Sequence, residues 1–333
     1  MPPRITYFPN KKEMKRILYI RENASGGIDS YCRKLEDLFR NDKDLAPIPV
    51  KDIPVIKSLF FHYYYNQKKL TQEIKGADII HINGYTAMGT VQALWTAKRY
   101  GKRVVYTAHW HPFKYLGHPF LGKIFFSVFM KLSIMKCVDV VTTINDEDEA
   151  FFHSFFPYVV RIPHWLRDLS SQCKVDKKPD MILFVGRLDD QVKGLDTLLS
   201  LPEGEYDIHC VGRGVPHIHR SDITFHYNSS DEELCRLYAE ASLVAIPSKY
   251  EAFSYVALES LLHGTPVVMS DRVRIADYLK GENGVAIFKY GDGEDFCRQV
   301  NRMMGQSVDI ERIKSIFSMN KAKKLYKAVY LGS

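Results

Sequence analysis

The sequence predicts an α/β protein of two doubly wound, Rossmann-like domains that face a central cleft. Short apolar runs typical of buried parallel strands alternate with segments of helical period from Arg16 to Pro163, and this alternation begins again at Met181. Between the two runs, residues 167–179 are polar and without period, as expected of a linker. A chain of 333 residues is long enough for two domains. We therefore expect an N-terminal domain (1–166), a C-terminal domain (180–312) and a helix at 313–333 that packs back on the N-terminal domain.

Two glycines follow the first predicted strand, Arg16–Ile20, in a loop that opens onto a helix beginning near Asp29. Gly26 and Gly27 would let the backbone approach a ligand and would leave the helix start available to an anion. A tight strand-to-helix turn without any ligand explains the same pair equally well.

Two histidines, His109 and His111, follow the predicted strand Arg103–Thr107. The preceding strand ends at Asn83 and Gly84, and the carboxyl ends of parallel strands meet at one edge of a sheet. A metal site is disfavoured because no third ligand lies nearby in the sequence. A polar contact to a substrate hydroxyl is one reading of these histidines, and a structural histidine with its hydrogen bonds satisfied is the other.

In the C-terminal domain, glycine and basic residues come directly after predicted strands. The strand Met181–Val185 leads into Gly186 and Arg187, with Lys193 a few residues later. The strand Asp207–Val211 leads into a segment containing Gly212, Arg213 and Gly214. These loops supply small residues and cations at the sheet edge where open α/β sheets bind ligands.

Two carboxylates, Glu251 and Glu259, flank the start of a predicted helix, Phe253–Leu262. Two helical turns take about seven residues, so both carboxylates can face one cleft at the carboxyl edge of the sheet. The helix start between them offers unpaired amides and the positive end of a dipole, which suit a phosphate. The pattern indicates a nucleotide-sugar site, and a helix with a solvated acidic face is the alternative.

Composition excludes several classes of protein. The six cysteines are scattered without a CxxC pair, which argues against a disulfide framework or a zinc site and suits a reducing cytoplasm. The basic, polar N-terminus is unlike a secretory signal, and lysines interrupt the longest apolar stretch, 116–141, so no membrane-spanning helix is predicted. The first 170 residues carry 25 basic and 16 acidic side chains, against 21 and 23 in the remainder. A basic N-terminal half suits an anionic membrane surface, and an ordinary solvated surface is the alternative.

The order of these motifs resembles the retaining glycosyltransferases of the GT-B fold, in family 4, which contains lipopolysaccharide-core and mannosyl transferases. The resemblance covers most of the chain, and the order and spacing of its C-terminal motifs are the most specific. The matching residues are Gly26-Gly27, His109, Ile162-Pro163, Val185-Gly186-Arg187, Lys193-Gly194, Val211-Gly212-Arg213-Gly214, Pro247-Ser248, Glu251, Glu259 and Gly264-Thr265-Pro266-Val267-Val268.

The resemblance implies that the N-terminal domain binds the acceptor and that the C-terminal domain binds a nucleotide-sugar donor. Arg187 and Lys193 would hold the donor diphosphate and neutralise the departing nucleotide, so that no metal and no cofactor is required. Glu251 would contact the donor sugar, Glu259 the ribose hydroxyls and His109 a donor-sugar hydroxyl near the reacting carbon. The implied donor site comprises Gly26, Gly27, Gly186, Arg187, Lys193, Gly212, Arg213, Glu251, Ala252, Phe253, Ser254, Tyr255 and Glu259. The implied acceptor site comprises Gly84, His111 and Trp165.

Two departures from the family pattern lie close to the implied chemistry. Ser254 stands where the family has Gly, which would add a Cβ and a hydroxyl beside the donor sugar. His164 and Trp165 replace the Asn-Gly of the hinge strand and would lie near the cleft.

We expect a retaining, metal-independent hexosyltransferase that uses a UDP- or GDP-linked sugar. The acceptor would be a sugar hydroxyl of a glycan or lipid-linked sugar in bacterial surface polysaccharide synthesis, whether lipopolysaccharide, capsule or exopolysaccharide. The expected location is cytoplasmic, with peripheral contact to the anionic inner face of the plasma membrane and no nucleic-acid partner. Two alternatives remain: another GT-B nucleotide-sugar enzyme, such as a soluble disaccharide synthase or an epimerase, and a non-catalytic sugar-nucleotide-binding protein.

Overall fold

The computed structural model describes residues 13–21, 27–49, 53–57, 63–84, 87–109, 124, 128, 131–165 and 175–332. The chain divides into two compact units. Unit 1 comprises Met1–Thr143, Asp148–Val160 and Lys323–Ser333, and unit 2 comprises Ile144–Glu147 and Arg161–Ala322. The boundary therefore differs from the one at residue 166 that the sequence suggests. Residues 161–165 belong to unit 2, and Ile162, His164 and Trp165 among them are buried.

Unit 1 contains a six-stranded sheet in the order β2-β1-β5-β6-β7-β8, and the hairpin β3-β4 forms a separate antiparallel pair. Strands β1 and β5 lie side by side in parallel, and the chain leaves both at the same edge of the sheet. The strands are β1 (Lys15–Arg21), β2 (Leu45–Pro47), β3 (Val55–Lys57), β4 (Tyr63–Tyr65), β5 (Ile79–Asn83), β6 (Arg103–Thr107), β7 (Val140–Thr143) and β8 (Val159–Arg161). The helices are α1 (Gly27–Phe39), α2 (Gln67–Lys75), α3 (Ala87–Arg99), α4 (Lys131–Cys137) and α5 (Asp146–His153).

Unit 2 contains a parallel six-stranded sheet in the order β11-β10-β9-β12-β13-β14. The strands are β9 (Lys178–Val185), β10 (Asp207–Gly212), β11 (Ile223–Tyr227), β12 (Ala241–Ile246), β13 (Val267–Ser270) and β14 (Val285–Phe288). The helices are α6 (Asp231–Glu240), α7 (Tyr255–Leu262), α8 (Ala276–Leu279), α9 (Gly293–Met303) and α10 (Ile310–Ile316). The last helix, α11 (Met319–Leu331), begins in unit 2 and belongs to unit 1 from Lys323 onward. The helix that the sequence suggests after Gly194 is a 3-10 helix, Leu195–Ser200. The two doubly wound sheets confirm the predicted fold class.

The strand order of unit 2 fixes where a ligand can bind. The chain runs outward from β9 through β10 to β11, and then returns to the other side of β9 as β12. Side chains of β12 are buried along its whole length, so the strand is apolar on both faces. The reversal leaves a crevice at the carboxyl ends of β9 and β12, the topological switch point at which such sheets bind ligands. The loops that begin at Gly186 and Pro247 both start there.

Helix α11 closes the core of unit 1 from the far end of the chain. Tyr326 and Tyr330 are fully buried, and the Tyr330 hydroxyl lies 2.7 Å from Nδ1 of His81 in β5. On the polar side of the helix, Lys327 Nζ lies 3.0 Å from a carboxylate oxygen of Asp42. Helix α11 therefore joins unit 1 through buried aromatic rings and an ion pair.

Large apolar side chains are exposed on unit 1, and we refer to them as its apolar patch. Ile124, Val128 and Leu132 recur every four residues and are about half exposed, and Trp95 of the neighbouring helix α3 is 58% exposed. Among the residues that the structure describes, no helix is long and apolar enough to cross a membrane.

Candidate functional site

An ion pair joins the two loops at the switch point of unit 2. Lys193 Nζ lies 2.7 Å from Glu251 Oε1, and the Ser248 hydroxyl donates to the same oxygen at 2.9 Å. Both charged side chains are partly buried, with 29% of Lys193 and 13% of Glu251 exposed. Lys193 and Glu251 are 58 positions apart in the sequence, and the fold brings their side chains together at this point.

Gly194 allows the Lys193 loop to dock against the Pro247 loop. Its φ is +69°, a left-handed conformation that glycine adopts without strain. A Cβ there would overlap the Pro247 carbonyl oxygen and lie 2.9 Å from the carbonyl carbon. The neighbouring Lys249 amide donates to the Val192 carbonyl at 2.7 Å. The two loops are thus fastened backbone to backbone, which holds Lys193 beside Glu251.

The two glycines predicted for the donor site, Gly186 and Gly212, lie against each other. A Cβ on Gly212 would overlap the Gly186 carbonyl, so the loops after β9 and β10 approach more closely than any larger residue would permit. The Leu188 amide donates to the Arg213 carbonyl at 2.8 Å, while the Arg213 side chain is exposed. This edge of the sheet is consequently lined by backbone.

Arg187 extends from the same loop and pairs with Asp190 at 2.5 Å. Burial opposes the ionisation of Asp190, but hydrogen bonds from Arg187 and from the Val192 amide outweigh it and lower the pKa of the carboxyl group. Asp190 also caps the 3-10 helix that carries Lys193. The guanidinium is 68% exposed, so it can reach an anion placed over the loop.

The loop containing Glu251 is held in place by its backbone. The Glu251 amide donates to Arg272 O at 3.2 Å, and the Arg274 amide donates to Glu251 O at 2.9 Å. The next carbonyl, that of Ala252, accepts from the Asn145 side chain at 3.0 Å. The backbone of this loop is thereby fixed, and the Glu251 carboxylate makes its contacts to Lys193 and Ser248.

Ser254, expected beside the donor sugar, caps a helix. Its side chain is buried and caps helix α7, because its hydroxyl accepts a hydrogen bond from the Ala257 amide at 3.3 Å. Phe253 is also buried, with its ring edge against Phe317. The amides of the first turn, beginning at Tyr255, remain at the helix start beside Glu251.

Glu259 lies further along α7. Its carboxylate accepts a hydrogen bond from a residue that the sequence did not indicate. The hydroxyl of Tyr238, in α6, donates to Glu259 Oε2 at 3.1 Å. Burial and the neighbouring Glu259 carboxylate raise the pKa of Tyr238 well above its ordinary value, so the phenol stays protonated as a donor. His263 stacks on the Tyr238 ring, with centroids 5.4 Å apart.

In unit 1, His109 is placed by Asn83. His109 Nε2 lies 3.2 Å from Asn83 Oδ1, and the imidazole meets the edge of the Tyr31 ring at 4.6 Å. Burial lowers the pKa of His109 to about 3, so the ring is neutral near pH 7. Gly84 is the next residue after Asn83 and turns the chain with φ +77°.

The remaining expected site residues fall into two groups. His111 and Gly26 lie outside the described residues, and Gly27 is the first residue of α1. Trp165, expected at an acceptor site, is only 3% exposed and belongs to unit 2. The neighbouring His164 stacks on Tyr255 with centroids 4.9 Å apart. The acceptor role expected for Trp165 stays a prediction.

Cations, a carboxylate pair and helix-start amides at one sheet edge suit an anionic ligand rich in hydroxyl groups. Within the described parts of the chain, no three His, Cys, Asp or Glu side chains are grouped as a metal site would need. Two doubly wound units with this site define the class of the GT-B proteins. Residues 28–166 match the family model "Glycosyltransferase Family 4", and residues 179–306 match "Glycosyl transferases group 1". The chain belongs to this glycosyltransferase family.

Relatives with curated descriptions match parts of the chain. An "uncharacterized 41.2 kDa protein in cps region" of Klebsiella pneumoniae is 22% identical over 274 residues, which cover 72% of this chain and 70% of the relative. An uncharacterized glycosyltransferase of Methanocaldococcus jannaschii is 30% identical over 172 residues, which cover 45% of this chain and 43% of the relative.

Solved structures share the fold. Anabaena HepE in complex with UDP-glucose matches with a TM-score of 0.73 and 13% identity, over 96% of this chain and all of that chain. A lipopolysaccharide outer core galactosyltransferase, WaaB, matches with a TM-score of 0.64 and 16% identity, over 95% of this chain and 99% of that chain.

Proposed function

We propose that the protein is a retaining, metal-independent hexosyltransferase. It moves a hexose from a UDP- or GDP-linked sugar to a sugar hydroxyl of a glycan or lipid-linked acceptor in bacterial surface polysaccharide synthesis. The donor class is supported by UDP-glucose in the HepE structure, and the pathway by the lipopolysaccharide activity named for WaaB.

The arrangement of Lys193, Glu251 and Ser248 carries this proposal. The ammonium group of Lys193 and the carboxylate of Glu251 lie 2.7 Å apart and neutralise each other. A donor diphosphate placed over the loop gives Lys193 a second anionic partner, and Arg187 adds a further cation. The Glu251 carboxylate then accepts hydrogen bonds from hydroxyls of the sugar ring. Glu259, held by Tyr238, serves the ribose in the same way.

In the reaction, the bond between C1 of the hexose and the diphosphate oxygen breaks, and the acceptor oxygen forms a new bond to C1. The electron pair of the broken bond leaves with the nucleoside diphosphate, and the proton of the acceptor hydroxyl is transferred to that departing oxygen or to water. Charge therefore grows on the diphosphate in the transition state. Lys193, Arg187 and the amides at the start of α7 stabilise it there, as a metal ion does in other transferases.

A panel of UDP-, GDP- and ADP-sugars tests the donor. A ligand at 100 times its dissociation constant adds about 2.7 kcal/mol of stability, which a thermal melt resolves. The stabilising sugar nucleotide is then incubated with candidate glycan acceptors in the presence of EDTA, and the anomeric configuration of the product is read by NMR. Turnover that requires added metal, or an inverted product, contradicts the mechanism, and no stabilisation by any sugar nucleotide contradicts the function.

The apolar patch on unit 1 supports a peripheral contact with an anionic bilayer. Trp95 and Leu132 expose about half of their surface on two helices that pack together. Burial raises the pKa of the Cys137 thiol, and the charges of Lys98 and Lys136 oppose that rise, so both ammonium groups lie near Cys137 at the end of α4. Apolar and aromatic side chains flanked by cations are typical of surfaces that enter the headgroup region.

Sedimentation with vesicles tests this contact. The full chain should sediment with vesicles containing phosphatidylglycerol and remain in solution with pure phosphatidylcholine. The double variant Trp95→Ser, Leu132→Ser should lose most of this binding. The control Val215→Ser, Tyr227→Ser removes two exposed apolar side chains of unit 2 and should bind as the parent does. Equal binding by the two double variants would exclude the patch.

A further inference from the structure

The thiol of Cys235 and the imidazole of His263 meet where helices α6 and α7 pack together. Cys235 Sγ lies 3.2 Å from Nε2 of His263, and Nδ1 of the same ring lies 2.7 Å from the carbonyl oxygen of Glu259. A carbonyl oxygen accepts only, so Nδ1 carries a proton and, in the neutral ring, Nε2 presents its lone pair to the thiol. The imidazole is therefore oriented to take the proton from Sγ.

Two further contacts hold the ring of His263 in place. The carbonyl of Glu259 also accepts from the His263 backbone amide, at 3.1 Å, so the end of α7 fixes the residue that carries the ring. The ring of Tyr238 stacks on the imidazole at an interplanar angle of 19°. A nucleophile, a base within hydrogen-bond reach and a third group that orients the base form the arrangement that activates a cysteine.

The other cysteines that the structure describes have different surroundings. Burial raises the pKa of each of their thiols, those of Cys32, Cys137, Cys210 and Cys297. Cys297 is partly exposed, as Cys235 is, but its Sγ donates to the carbonyl of Ser200 at 3.0 Å. An imidazole can take a proton at neutral pH and a carbonyl oxygen cannot. Cys297 is therefore an internal control for the effect of the imidazole.

We propose that Cys235 is a site of reversible modification, at which a low-molecular-weight disulfide forms a mixed disulfide and weakens nucleotide binding at Glu259. Sγ attacks one sulfur of the reagent, so a new S–S bond forms as the S–S bond of the reagent breaks. The electron pair of the broken bond leaves with the second sulfur as a thiolate. The thiol proton passes to Nε2 of His263 and then to this thiolate. Reaction with a free thiol reverses the exchange and restores Cys235.

The modification reaches the nucleotide site through His263 and Tyr238. Cys235 and Tyr238 are three residues apart on α6, so they lie on one face of the helix, and both contact the imidazole. A group added to Sγ occupies space beside the imidazole and displaces it from the Tyr238 ring, whose hydroxyl donates to Glu259 Oε2 at 3.1 Å. The effect on nucleotide binding rests on the proposed transferase function, whereas the reactivity of the thiol does not.

Reaction of the full chain with dithiodipyridine at neutral pH measures the thiol and needs no nucleotide. Peptide mass spectrometry follows the modified fraction of each cysteine with time. Cys235 should react at least about tenfold faster than Cys297, and His263→Asn should remove this difference because its amide can donate to the Glu259 carbonyl but cannot take the proton. His153→Asn replaces an exposed histidine of α5 and should leave both rates unchanged. Equal rates for Cys235 and Cys297 in the parent overturn the proposal, whether or not His263→Asn folds.

Calorimetric titration with UDP and with GDP tests the effect on binding. The parent modified at Cys235 should bind its nucleotide about threefold to tenfold more weakly than the untreated parent, the effect of one hydrogen bond, and dithiothreitol should restore the affinity. Cys235→Ser keeps a hydroxyl donor for His263 and should bind as the untreated parent does, before and after treatment. Unchanged affinity in the modified parent overturns the proposal. An untreated parent that binds neither nucleotide would instead reject the transferase function, and the rates of Cys235 and Cys297 would still decide whether Cys235 is the reactive thiol.

Discussion

Replacing Gly194 by Ala should break the docking of the Lys193 loop on the Pro247 loop. The left-handed backbone alone costs a non-glycine residue about 1–2 kcal/mol. The added Cβ also overlaps the Pro247 carbonyl, and overpacking of this kind costs about 1–3 kcal/mol more. We therefore expect Gly194→Ala to lower the free energy of unfolding by about 2–5 kcal/mol, the sum of these two contributions.

Gly305 provides a matched control for this substitution. Its φ is also +69°, but no heavy atom lies within 4 Å of the position that a Cβ would take. Gly305→Ala should therefore show only the cost of the backbone conformation. The difference between the two variants isolates the contact with Pro247.

Urea unfolding followed by circular dichroism measures both variants, and calorimetric titration with UDP measures what the loop does for binding. Relief of the overlap moves Lys193 away from Glu251, and a hydrogen bond between charged groups contributes about 1.5–3 kcal/mol. We expect about tenfold weaker UDP binding by Gly194→Ala and parental binding by Gly305→Ala. Equal losses of stability in the two variants, or parental affinity in both, would refute the docking argument.

Three further predictions concern the site and the core of unit 1. Lys193→Met and Glu251→Gln should each lower turnover by about 10²–10³, the range for a transition-state contact, as measured by steady-state kinetics. Each should change the free energy of unfolding by only about 1 kcal/mol, because the pair is partly exposed, and thermal melts measure this effect. Tyr238→Phe should weaken UDP binding about threefold to tenfold, since the Glu259 carboxylate loses one hydrogen bond from a neutral phenol. Calorimetry should find no change if Tyr238 only fills space. The pKa of His81 is lowered to about 3, so His81 stays neutral in the folded state at pH values where the unfolded chain binds a proton. The free energy of unfolding should therefore fall as the pH decreases from about 6.5 towards 3, by up to about 1.4 kcal/mol per pH unit. Urea unfolding of His81→Gln between pH 6 and 4 should show a shallower slope than the parent, and an equal slope would contradict this assignment.

The sheet of unit 2 and its loops can be predicted because buried parallel strands appear in the sequence as short, continuous apolar runs. The segment Met181–Val185 is apolar on both faces, and the glycine that follows marks the close approach of two loops. The pairing of Lys193 with Glu251 follows from the strand order, which the alternation of strands and helices already implies. The residues at the switch point could therefore be named from the sequence.

The sequence does not indicate contacts that depend on packing between distant segments. Tyr238 reaches Glu259 only because α6 lies beside α7, and nothing in its local sequence distinguishes it from a core tyrosine. Trp165 is buried, and the chain enters unit 2 at Arg161, before any change in composition. The capping role of Ser254 did have a signal, since a serine directly before a helical stretch is a preferred N-cap.

The position of α11 affects the order in which the protein can fold during synthesis. The last turns of this helix bring Tyr326 and Tyr330 into the core around His81, more than 240 residues earlier in the chain. Domains usually fold as they leave the ribosome, in order from the N-terminus. Here unit 1 lacks these two rings until unit 2 has been made, so the first part to be synthesised is the last to be completed. A nascent chain arrested before Lys323 should accordingly show a protected unit 2 and a unit 1 still open to protease.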